Sequence, residues 1–74
     1  MSFWEGVNEI SIAKNIKNRR EEFGLSQAEL AEKVEVTQSA VSRWEHGESV
    51  PLLKYQKKLA ILFGCSVDEL NSKR

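Results

Sequence analysis

Ser26-Gln27-Ala28-Glu29-Leu30-Ala31 and, after a short interval, Thr37-Gln38-Ser39-Ala40-Val41-Ser42-Arg43-Trp44-Glu45 decide how this chain folds. Each segment opens on a hydroxyl residue that can cap a helix, and each then gathers apolar residues on one side. The pair reads as two short helices joined by a tight turn. The second keeps Val41 and Trp44 on one face and spends the other on small, amide and guanidinium side chains. Such a helix is held to a core by one side and presents the other to a partner.

Outward from this stretch the same punctuation recurs. Ser26-x-x-Glu29 and Ser66-x-x-Glu69 are capping boxes: the serine oxygen takes an orphan N–H and the glutamate returns to the cap. Gly24, Gly47 and Gly64 each follow a periodic run, where a helix stops on a left-handed residue. Pro51 opens a new element. The predicted helices cover 12–23, 27–33, 38–46, 52–63 and 67–70. Ile12 with Ile16, Leu30 with Ala31 and Val34, Val41 with Trp44, and Tyr55 or Gln56 with Leu59, Ala60 and Phe63 follow helical spacing. Leu25, Val36, Cys65, Val67 and Leu70 plug the ends. The short connections force helix-on-helix packing. The expected fold class is all-α, a compact five-helix domain over residues 12–70 with a tail at 71–74.

Residues 1–11 stand apart. Ser2-x-x-Glu5 is a third possible capping box, and Phe3, Val7 and Ile10 fall at helical spacing beside Trp4. The segment is read either as a frayed arm or as an extra short helix, packed on the domain or on a second subunit. Gly6 weakens such a helix by about 1 kcal/mol relative to Ala.

Composition narrows the function classes. A core built from 74 residues supplies only about 3–5 kcal/mol. One cysteine, Cys65, and one histidine, His46, exclude an internal disulfide framework and a zinc site, so no metal or cofactor is expected. Cys65 reads as a small buried filler, and a lone thiol suits a reducing compartment. No apolar run approaches a membrane span, and the start lacks a signal-peptide pattern. Eleven basic and eleven acidic residues cancel. Their distribution matters more than their sum. Lys14, Lys17, Arg19 and Arg20 crowd one segment, whereas acids concentrate at Glu21-Glu22, Glu29-Glu32-Glu35 and Asp68-Glu69.

The third helix carries the chemistry. Gln38, Ser39, Ser42, Arg43 and His46 fall on or beside the face opposite Val41 and Trp44. An amide can pair bidentately with adenine and a guanidinium with guanine, and serine lets a helix approach closely. Glutamate is absent from this face until Glu45, which belongs toward the core side. Gln27 stands in the first turn of the preceding helix, where backbone N–H groups attract phosphate. His46 is read first as an imidazole at the negative end of its helix, and second as a phosphate contact.

The pattern Arg20…Gly24-Leu25-Ser26-Gln27-x-x-Leu30-Ala31…Val36…Val41-Ser42-x-Trp44-Glu45-x-Gly47…Pro51…Leu59-Ala60…Phe63…Val67-x-x-Leu70 resembles the signature of the phage-repressor (Cro-like, XRE-type) helix-turn-helix family. The resemblance spans Ile12 to Leu70. It implies a lambda-repressor-like DNA-binding domain whose recognition helix begins at Gln38. It further implies base contacts by Gln38, Ser39, Ser42 and Arg43, and a phosphate contact by Gln27. His46 and Ser49 are placed with Gln27 as phosphate contacts. An ion pair between Arg20 and Glu45 would join the first and third helices.

Three positions depart from the family pattern. Glu35 occupies a turn position where relatives have Gly. The loop Gly47-Glu48-Ser49-Val50 carries an acid in place of lysine or arginine. Arg19 replaces an apolar residue and is expected to cover the core with its stem while its head points outward.

The expected function is that of a sequence-specific, repressor-like transcriptional regulator. It reads the major groove of double-stranded DNA as a homodimer, with half-sites about 34 Å apart, in the cytoplasm with the nucleoid. Candidate dimer surfaces are the Leu70 end of the last helix, the exposed Ile61, Leu62 or Leu52, and the Phe3-Trp4 arm. The alternative is a protein-interaction module on the same fold with weak or no DNA binding, supported by zero net charge, Glu35 and Glu48. An enzyme is not expected: no Ser-His-acid set, Gly-rich phosphate loop or metal cluster is present in the sequence.

Overall fold

The computed structural model describes residues 3–72, with side chains over 11–72. Five helices follow in order among the described residues: α1 (Phe3–Glu22), α2 (Gln27–Val34), α3 (Gln38–Glu45), α4 (Leu53–Phe63) and α5 (Val67–Asn71). The all-α, five-helix reading stands. The helix α1 runs unbroken through Gly6 and past residue 12, so the backbone shows one long helix where an arm or separate short helix was expected. Extending an existing helix avoids the nucleation cost, and one glycine is too small a penalty to stop it. The expected Ser2-x-x-Glu5 box and the packing of Phe3, Trp4, Val7 and Ile10 lie outside the described side chains.

Local chemistry sets the helix starts. The Ser26 hydroxyl accepts from the Glu29 N–H at 3.0 Å, and the Glu29 carboxylate accepts from the Ser26 N–H at 2.8 Å. Ser66 and Glu69 repeat the motif at 2.9 and 2.8 Å. In both boxes the cap's backbone N–H is the main reason the glutamate pKa lies below its ordinary value. Thr37 caps α3 by accepting from the Ala40 N–H at 3.1 Å. Pro51 does not open α4 as expected. That helix begins at Leu53, its cap residue Leu52 makes no side-chain bond, and the buried Pro51 offers its carbonyl to the Gln56 amide at 2.8 Å.

Ile12, Ile16, Leu30, Val34, Val41, Trp44, Leu59, Phe63 and Leu70 form one core in which α1 backs the other helices. Each large side chain removed from water stabilises by about 1.5–3 kcal/mol. Leu25, Val36, Tyr55, Leu62 and Cys65 pack against its edge. Trp44 meets the Tyr55 ring at 5.9 Å and Phe23 meets Phe63 edge-on at 5.5 Å. Leu70 is 0 % exposed, which removes it from the candidate dimer surfaces: the core consumes it.

Two polar residues of α1 behave unexpectedly. Asn15 is buried on the apolar stripe and donates to the carbonyls of Leu70 and Ser72 at 2.9 and 2.6 Å. It thereby satisfies the orphan end of α5 from a different helix. Arg19 is only half turned outward. Its Nε lies beneath the surface, and its charge helps hold the Glu69 pKa down.

Candidate nucleic-acid interface

The turn between α2 and α3 fixes how the two helices cross. Glu35 takes it in the left-handed conformation, φ 65° and ψ 46°, and its N–H closes α2 onto the Ala31 and Glu32 carbonyls. Glycine adopts this conformation without the Cβ clash that any other residue carries. Glu35 has one compensation invisible in the local sequence: its carboxylate receives Lys58 of α4 at 2.7 Å, which lowers its pKa. Both partners are exposed, so the pair is a weak one.

Behind α3 stands a denser polar group. Arg20 Nε donates to Glu45 Oε2 at 2.6 Å and its Nη2 to Glu45 Oε1 at 3.1 Å. Its Nη1 donates to the Leu25 carbonyl at 2.8 Å. This fork ties α1, the α1–α2 connection and the end of α3 together. The Glu45 side chain is 3 % exposed. Its hydrogen bond to Arg20 is the main reason the guanidinium pKa is raised. The sequence reading assigned Gln27 to phosphate. In the structure its amide donates to Glu45 Oε1 at 3.0 Å.

The front of α3 is different. Gln38, Ser39 and Arg43 are exposed and Ser42 is half-buried. Positions 38, 39, 42 and 43 share one side of the helix. His46 folds back so that Nδ1 donates to the Ser42 carbonyl at 2.7 Å, which leaves Nε2 free to face outward. The capping role read first from the sequence is therefore the contact its ring makes. Ser49 is exposed in the following loop. With Arg43 it borders a groove of about 370 Å³ that Thr37, Ala40, Val50 and Tyr55 also line. Only the fold brings Val50 and Tyr55 beside the start of α3. Among the described residues no group of His, Cys, Asp and Glu is placed to hold a metal ion, and no helix is long and apolar enough to cross a membrane.

A helix-turn-helix family model matches residues 16–70. The chain is 32 % identical over 72 residues to the HTH-type transcriptional activator BcrR of Enterococcus faecalis, covering 97 % of this chain and 31 % of that one. Among solved structures, FeII HppE in complex with substrate superposes with a TM-score of 0.77 and apo-HppE with 0.74, each at 29 % identity over 86 % of this chain. The match takes in 37 % and 36 % of those chains. The chain thus spans about a third of the length of the relatives it matches. The iron and substrate of HppE are those of a longer protein. What is shared is the helical fold. A left-handed turn between α2 and α3, a third helix pinned from behind, and a family match over residues 16–70 together establish that the chain belongs to the helix-turn-helix family of DNA-binding domains, XRE type.

Proposed function

We propose that this domain is a sequence-specific transcriptional regulator that lays α3 in the major groove of double-stranded DNA as a homodimer. One observation carries the reading. The outward row Gln38, Ser39, Ser42 and Arg43 contains no carboxylate, on a helix whose opposite side is anchored by Val41, Trp44 and Glu45. Gln38 and Arg43 supply bidentate base recognition, and Ser39 and Ser42 permit close approach. The backbone contacts come from His46 Nε2 and from Ser49. The relative BcrR is named a transcriptional activator. A repressor-like action follows where the same contact seats the dimer across a promoter rather than beside it.

An eight-residue helix reads only a few base pairs, so a second copy supplies the remaining specificity. With Leu70 inside the core and Leu62 half-buried against it, Ile61 and Leu52, 81 % and 65 % exposed, remain as candidate apolar contacts together with the Phe3-Trp4 arm. The function is non-catalytic and belongs with the nucleoid in the cytoplasm. Selecting duplexes from a random pool tests the proposal. A palindromic consensus with half-sites about 34 Å apart is expected, and a pool that yields no consensus refutes it.

The exposed Glu48 in the loop after α3, together with zero net charge, favours a second reading: a protein-interaction module on this fold. A regulator binds random duplex weakly, with affinity falling steeply as salt rises. No binding at low salt selects the interaction module.

A further inference from the structure

One N–H of the Gln27 amide is spent inside the protein. It donates at 3.0 Å to the same Glu45 oxygen that receives Arg20 Nη2 at 3.1 Å. The other carboxylate oxygen takes Arg20 Nε at 2.6 Å. Glu45 is the last residue of α3, and Gln27 is the first of α2. A side chain from the start of one helix therefore meets one from the end of the other, across the whole helix-turn-helix. A nearly buried carboxylate needs its lone pairs filled, because each unfilled one keeps the desolvation cost without return. Gln27 fills the second site on Oε1, beside the one taken by Arg20 Nη2.

We propose that Gln27 is a positioning residue: through Glu45 it fixes the angle of the recognition helix, so its loss erodes choice among sequences rather than affinity for duplex in general. The idea rests on the groove-reading assigned to α3. It differs from a plain phosphate ligand, whose removal weakens every duplex alike and flattens the salt dependence. Holding α3 matters because base pairing tolerates little misplacement. A tilt that moves Arg43 off the edge of its base forfeits a bidentate contact and leaves phosphate attraction intact.

Two measurements on the 74-residue chain test this. The first needs no DNA. Thermal melts of wild type, Gln27→Met, Glu45→Gln and the double variant form a cycle. Methionine keeps the length of the side chain and removes its donors. Gln27→Met should lower the melting temperature in the wild-type background and have much less effect beside Glu45→Gln. Additive shifts overturn the link. The second compares Gln27→Met with wild type on the selected site and on random duplex across a salt series. The affinity ratio should fall about tenfold with the salt slope unchanged, as for loss of a hydrogen bond to a charged group. A ratio that holds while both affinities fall together and the slope flattens returns Gln27 to phosphate binding and overturns the proposal. A wild-type chain that binds no duplex refutes the groove-reading alone, since the melting cycle stands or falls by itself.

Discussion

The two sides of α3 solve opposite problems with the same eight residues. The rear side has Val41 and Trp44 in the core, with Glu45 held by Arg20 and Gln27. The front side has Gln38, Ser39 and Arg43 in solvent, with none of the protein's other side chains bonded to them among the described residues. Stability is concentrated behind and left out in front. A polar group already paired within the protein must break that pairing before it can recognise a ligand. Free tips on a fixed rod avoid that cost, and the rod is fixed because everything else about the helix is committed to the interior.

The sharpest way to break this contrast is Glu45→Ala. It strands the Arg20 guanidinium and should cost about 3 kcal/mol, the low end for a pair at the rim of a core; a chemical melt reads the loss. Unchanged stability would mean the rear side is not what holds α3. Arg43→Ala addresses the front. It should leave the melt unaltered while weakening the preferred duplex by about 1–3 kcal/mol and relaxing choice at one base pair. A variant with intact sequence preference would remove Arg43 from base reading. Thr37→Ala tests the junction, because Thr37 caps the end of α3 that carries Gln38 and Ser39. Losing the cap should cost about 1 kcal/mol, measured as a drop in melting temperature and faster amide exchange at Ala40. The smallest effect is expected of Glu35→Gly. Glycine relieves the left-handed backbone but loses the exposed Lys58 contact and adds freedom to the unfolded chain. The melting temperature should move by less than about 4 °C. A large fall would mean that Lys58, not the turn, sets the α2–α3 crossing.

Features carried by neighbouring residues were legible in the sequence. Both capping boxes and the Thr37 cap depend on groups a few residues apart, so their spacing shows them, whereas the turn position of Glu35 came from the family resemblance. The apolar stripes of α2, α3 and α4 are equally local. Features whose partner is distant were not legible. Asn15 drew no reading from the sequence, yet it closes α5 from 55 residues away. An amide between Ile12 and Ile16 on the apolar stripe was the available signal. Leu70 reads from the sequence both as a core plug and as part of a dimer surface, and its burial in the folded molecule leaves only the first. Pro51 is a local exception: α4 starts at Leu53, two residues after it, and Gln56, which bonds the Pro51 carbonyl, is only five residues on. Gln27 had an outward reading that its position alone supports, and Glu45 lies 18 residues on.

The chain alone settled which segments become helices, where most of them begin, and which helix face is polar and free of carboxylate. Those properties come from periodicity and capping, which act within a turn or two of backbone. Only the folded molecule decided which polar side chains remain unspent. Pairing of Arg20, Gln27 and Glu45, of Lys58 and Glu35, and of Asn15 with the end of α5 joins groups from different helices. Such bonds form only after hydrophobic burial has brought the helices together, and no spacing rule along the chain encodes that approach.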